Sequence, residues 1–178
     1  MLVGKMTRKN LLACLPAGGV AIEIGVAEGV FSSTILEMAK PSNLHLVDPW
    51  IHQSRPDYQL DANNVDDEAN EERYQAVLKK FRAEIESDVV HVHRGFSKDV
   101  LPEFDDHAFD WAYVDAMHTR DAVREDLQLV WPKVKPDGLI LGHDFSNSQE
   151  ARARGFGVVD GVQDFIRETG AHLVAMTM

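Results

Sequence analysis

The chain is poor in sulfur and in positive charge, and it holds no long apolar stretch. Cys14 is the one cysteine in 178 residues, which excludes an intramolecular disulfide framework. Lys and Arg number 18 against 29 Asp and Glu, a formal net charge of −11. A nucleic acid or an anionic membrane would approach against that field, so neither is expected as a partner. No apolar run nears the roughly 20 residues needed to cross a bilayer. The N-terminal stretch MLVGKMTRKNLLACLP is too interrupted for a signal peptide, and the chain reads as a soluble cytoplasmic protein. What remains is 44% hydrophobic and 8% aromatic residues, enough for one domain with a real core and a small-molecule partner.

Short β-branched runs alternate with helical patterns, as in βαβ units on a mostly parallel, doubly wound α/β sheet. Strands are expected at residues 20–24, 44–47, 89–93, 111–114 and 139–142, the last after a turn at Pro136-Asp137-Gly138, with a final strand at 172–176. Helices are expected at 28–40, 71–86, 120–131 and 162–168, the second carrying Tyr74, Val77, Leu78, Phe81 and Ile85 at spacings of three and four. One compositional break stands out. An insert at about 52–72 carries seven acids (Asp57, Asp61, Asp66, Asp67, Glu68, Glu71, Glu72) and, from Asp57 to Glu72, no Lys or Arg. With few apolar anchors, it is expected either to close over the site as a mobile lid or to remain a solvated loop.

Ligands of open α/β sheets lie beyond the carboxyl ends of the strands. After the first strand comes Glu23-Ile24-Gly25-Val26-Ala27-Glu28-Gly29, whose glycines permit a tight turn and close backbone approach to a ligand. After the second comes Asp48, an acceptor for ribose hydroxyls. Ala27 replaces the second glycine of the dinucleotide fingerprint, and Glu23 and Glu28 would repel a pyrophosphate, so a cationic ligand suits the turn better. The segment AIEIGVAEGVFSSTIL resembles the first motif of the class I S-adenosylmethionine-dependent methyltransferases. The resemblance implies that Gly25 to Gly29 line the methionine part of S-adenosylmethionine, with Asp48 on the ribose and Gly95-Phe96-Ser97 against the adenine. Ser97 reads equally well as an ordinary helix N-cap.

A second stretch, FDWAYVDAMHTRDAVREDLQLVWPKVKPDGLILGHDF, looks like the metal-dependent O-methyltransferases related to macrocin O-methyltransferase, a similarity of pattern that runs from about residue 20 to about residue 170. It implies Asp115 and Asp144 as metal ligands, Asp115 also bordering the cofactor, and His118 as the base. The residues support the same chemistry by themselves: two carboxylates at adjacent strand ends suit a hard cation such as Mg²⁺, and a histidine at position 118 is expected to titrate near neutrality. The competing role is structural, with both aspartates capping helices and His118 beginning one. Related catechol-type enzymes carry Asp-Asn where this chain has Asp144-Phe145, which leaves the third ligand open among His143, Asn147, an acid of the insert, and water. His45, His91 and His93 read as structural, and Trp50 and Trp111 as core or pocket rings.

The family usually ends in an antiparallel strand pair. A single strand at 172–176 predicts a shortened sheet or a partner subunit on its edge, hence a homodimer. The expectation is a Mg²⁺-assisted O-methyltransferase for a small hydroxylated acceptor. The alternatives are a nicotinamide oxidoreductase on a similar sheet and a non-catalytic S-adenosylmethionine-binding module.

Overall fold

A computed structural model describes residues 7–59 and 61–176. The first six residues of the N-terminal stretch discussed above, and residue 60 of the acidic insert, lie outside this range. In chain order the elements are α1 (Arg8–Leu12), β1 (Val20–Ile24), α2 (Val30–Met38), β2 (Asn43–Asp48), α3 (Asp67–Lys80), α4 (Arg82–Glu86), β3 (Val90–Arg94), α5 (Ser97–Val100), β4 (Phe109–Val114), α6 (Arg120–Val130), β5 (Val134–Gly142), α7 (Gln149–Ala153) and α8 (Val158–Thr169). The strands form one parallel sheet in the order β3-β2-β1-β4-β5.

Alternate residues of the strands feed two cores. Ala21, Leu44, Leu46, Trp111 and Tyr113 pack with Leu12, Ile35, Val77 and Phe81 on one face. Ile22, Ile24, Val47, Ala112 and Val114 pack with Val123, Leu127, Val130 and Phe165 on the other. Burial on both faces is why the central strands β1 and β4 read as nearly continuous apolar runs, and each fully buried aliphatic side chain contributes about 1.5–3 kcal/mol. Chain order reverses between β1 and β4, which opens a crevice at their carboxyl ends.

Three expectations are corrected. The acidic insert is shorter than its composition suggested, because Asp66 caps α3 by accepting a hydrogen bond from the Ala69 amide and Asp67 begins the helix. Its later acids therefore occupy the first turns of a helix, where negative charge is favoured by the dipole. The turn at Pro136-Asp137-Gly138 is an irregularity within β5, whose pairing with β4 jumps from Phe109↔Val134 to Trp111↔Leu139. Residues 171–176 form no strand, and Leu173 and Val174 are exposed. An apolar run becomes a strand only where a ladder receives it, and the outer strand here is β5.

His91 and His93 each stack on His45, with His45 and His93 edge-on to Phe104, and a ring nitrogen of His45 lies 3.0 Å from one of His93. Burial, reinforced by its histidine neighbours, pushes His45 down to about 4. A depressed histidine lets the unfolded chain bind the proton first, so its stability contribution is complete above the ordinary value near 6.5 and is lost as pH falls from there towards 4. The melting temperature should therefore fall from pH 7 to 5 more steeply in the wild type than in His45→Gln. Parallel curves would remove His45 from the acid response.

Candidate active site

A cleft of about 460 Å³ lies at the carboxyl ends of β1, β2, β3 and β4, with Gly25, Ala27, Asp48, Phe96, Ser97 and Asp115 among its walls. The turn after β1 sits at the centre of that crevice. Gly25 has φ +89, and a Cβ there would overlap the Asp115 carbonyl, so only glycine brings β1 and β4 this close. Ala27 also has positive φ, at 50. Gly29 serves packing: a Cβ there would press on the Phe81 ring. Neither Gly29 nor Glu28 lines the cleft; the Glu28 carboxylate lies 3.5 Å from Arg73, and its carbonyl accepts from Lys80.

Glu23 is 1% exposed and lies outside the cleft wall. Ser32 donates to its carboxyl. Burial raises its pKa to about 8, against the lowering effect of that bond, so its negative charge is disfavoured and its carboxyl faces Ser32 in place of the cleft.

Asp48 supports the turn. One carboxylate oxygen accepts from the Val26 and Ala27 amides, each at 2.9 Å, and the other from the Trp50 amide at 2.8 Å. Trp50, buried, closes the loop by donating from its indole to the Ala27 carbonyl at 2.9 Å. Asp48→Asn should thus both lower the melting temperature and weaken S-adenosylmethionine binding, each charge-assisted bond contributing about 1.5–3 kcal/mol. The ribose role has its own signature in calorimetry. Wild type should prefer S-adenosylhomocysteine over its 2′-deoxy analogue more strongly than Asp48→Asn does, and an equal preference would leave Asp48 as turn support only.

At the far end of the cleft Phe96 is the N-cap of α5 and makes no side-chain cap bond. Ser97 is no cap either: its hydroxyl donates to Asp126, a buried α6 residue whose carboxyl burial raises to about 6. Sequence reasoning passed over Asp126. The signal was there, since it shares the apolar stripe of α6 with Val123, Leu127 and Val130 and a carboxylate on such a stripe needs a partner.

Asp115 follows β4, Asp144 follows β5, and one donor atom from each, with one from His118, lie within 4.8 Å of one another. His118 Nε2 is 3.0 Å from Asp144 and 3.4 Å from Asp115, while its Nδ1 is 3.4 Å from Asp61. His143 joins them, 3.1 Å from Asp144 and 3.7 Å from Asp115. Neither aspartate is a helix cap, for Thr119 caps α6 and Ser148 caps α7. Asp144 has φ +54, a conformation that costs energy and that recurs at functional positions. Burial alone would lower His118; hydrogen bonds to Asp115, Asp144 and Asp61 outweigh it and push the imidazole up to about 11. Its counterpart Asp144 is held well below the usual carboxylate range by His118 and His143. Phe156 stacks on the His118 ring at 4.3 Å, and both line a second cleft of about 270 Å³ with Tyr58 and Asp61. Tyr58 also lines the first.

A family model described as a methyltransferase domain matches residues 22–145, a span that covers the glycine turn, Asp48 and the Asp115–Asp144 pair. The chain belongs to this family, the S-adenosylmethionine-dependent methyltransferases of class I. Among solved structures it is similar to a protein from Corynebacterium glutamicum at 16% identity and TM-score 0.58, covering 93% of this chain and 71% of that one. A putative sarcosine dimethylglycine methyltransferase from Galdieria sulphuraria shares 12% identity at TM-score 0.59, over 90% of this chain and 57% of that one. A precorrin-6y C5,15-methyltransferase from Geobacter metallireducens shares 13% at TM-score 0.56, over 93% and 75%. At such identities the likeness concerns the fold. No curated protein matches the chain. Among the described residues no helix is long and apolar enough to cross a membrane.

Proposed function

We propose that the protein transfers the methyl group of S-adenosylmethionine to a hydroxyl of a small acceptor, such as a sugar, polyol or catechol-like compound. In this proposal a divalent cation, Mg²⁺, is held by Asp115 and Asp144, as in the O-methyltransferases related to macrocin O-methyltransferase. The observation that carries it is the convergence of two carboxylates and an imidazole at the ends of β4 and β5, with Asp115 bordering the cofactor cleft and His118 bordering the second one.

The donor set fits a hard divalent ion, because carboxylate oxygens are its preferred ligands and water can complete the shell. Bound there, the cation would lower the pKa of an acceptor hydroxyl and draw off the carboxylate charge that keeps His118 protonated. His118 Nε2 then takes the hydroxyl proton while the oxygen lone pair attacks the sulfonium methyl carbon. The carbon–sulfur bond breaks and S-adenosylhomocysteine leaves. Ligand and base compete for one nitrogen, and the proposal assigns Nε2 to the proton.

The test is mass spectrometry of purified protein with S-adenosylmethionine and a panel of hydroxylated acceptors, run with Mg²⁺ or with excess chelator. Methoxy products that require the cation support the proposal. Full activity in chelator removes the metal, methylation of nitrogen or carbon alone removes the O-methyl assignment, and cofactor binding without turnover favours a binding module.

A further inference from the structure

We propose that Asp61, from the segment between β2 and α3, is the positioning residue of His118, holding the ring by Nδ1 so that Nε2 faces Asp115 and Asp144. The inference rests on the proposed role of His118 and adds to it a residue from a distant part of the chain.

An imidazole can pivot about its bond to the backbone and can carry its proton on either nitrogen, so a base works only when a second group fixes both. Here the carboxylate oxygen of Asp61 lies 3.4 Å from Nδ1, and the two side chains are 12% and 11% exposed. The other oxygen of Asp61 accepts from the Asn63 amide at 2.8 Å, which fixes the carboxylate itself. Asn63 is tied in turn, its carbonyl accepting from Arg73 of α3. Asn64 braces the same segment, exchanging hydrogen bonds of 2.9 Å with the backbone of Gln53. Phe156, which lines the same cleft, sets the plane of the ring by stacking at 18°. Stacking restrains tilt yet leaves a ring flip open, because both ring orientations present the same π face. Asp61, accepting from Nδ1–H, opposes that flip from one side of the ring as Asp144 and Asp115 oppose it at Nε2, and it alone leaves Nε2 free to act on a substrate proton. The insert thus contributes a functional side chain in addition to any covering role, and its ordering is coupled to the orientation of His118.

The test uses the protein alone, without acceptor, and so can fail while methyl transfer is intact. In proton–nitrogen correlation spectra of ¹⁵N-histidine-labelled protein, a ring proton held by a buried carboxylate exchanges slowly with water. Wild type is expected to show such a downfield proton on His118 Nδ1, assigned by its absence in His118→Gln. Asp61→Ala and Asp61→Ser are both expected to lose it while the remaining histidine signals stay in place. Persistence of the resonance in either folded variant overturns the proposal, as does its absence from the wild type.

Discussion

His118→Ala is expected to lower methyl transfer by about 10²–10⁴-fold, the usual contribution of a positioned general base, while S-adenosylmethionine affinity stays at the wild-type level. The reason is spatial. The turn after β1 and Asp48 line the larger cleft, where S-adenosylmethionine is proposed to bind, and His118 lies on the wall of the neighbouring one. Asp144→Asn should fail differently. Asparagine tolerates the positive φ of this position, so the backbone stays, but a ligand charge is lost and divalent-cation binding weakens with turnover. Parallel measurements of Mn²⁺ binding, cofactor binding and turnover separate the two roles. Wild-type turnover in His118→Ala would reduce that histidine to a structural neighbour of Phe156.

The second large effect concerns stability. Gly25→Ala must carry a side chain at φ +89 and push it into the Asp115 carbonyl, a combination expected to cost about 2–5 kcal/mol. Gly18→Ala is the control, since Gly18 has φ +81 and nothing within 4 Å of an added Cβ, leaving only the conformational cost of about 1–2 kcal/mol. Urea denaturation should rank Gly25→Ala well below Gly18→Ala, and calorimetry should find cofactor binding impaired in the former alone. Equal midpoints would mean that β1 and β4 separate easily at the cleft.

These expectations rest on features of different legibility. The parallel α/β sheet was readable because strands buried on both faces announce themselves as short β-branched runs, and the helices between them by their spacing. Gly25, Ala27, Asp48 and Asp115 were readable as cleft positions because a parallel sheet opens its crevice just after its strands, whereas Glu23, Glu28 and Gly29 of the same run lie outside the cleft wall. The boundary between insert and α3 was misplaced, since an acidic run looks the same as a loop or as the first turns of a helix until its N-cap is known. The strand expected at 172–176 depended on a ladder that local sequence does not specify.

By itself the sequence determined the parallel α/β class and the strand-end positions Gly25, Ala27, Asp48 and Asp115 that line the cleft, because these follow from local periodicity and from where strands stop. Only the tertiary structure decided what those residues do for each other: that Glu23 is buried beside Ser32, that Asp48 holds the turn, that Ser97 meets Asp126, and that Asp61 reaches His118. Asp61 and His118 are 57 positions apart. Their meeting is set by how two loops fold over one end of the sheet, where backbone geometry and burial choose partners that no local periodicity encodes.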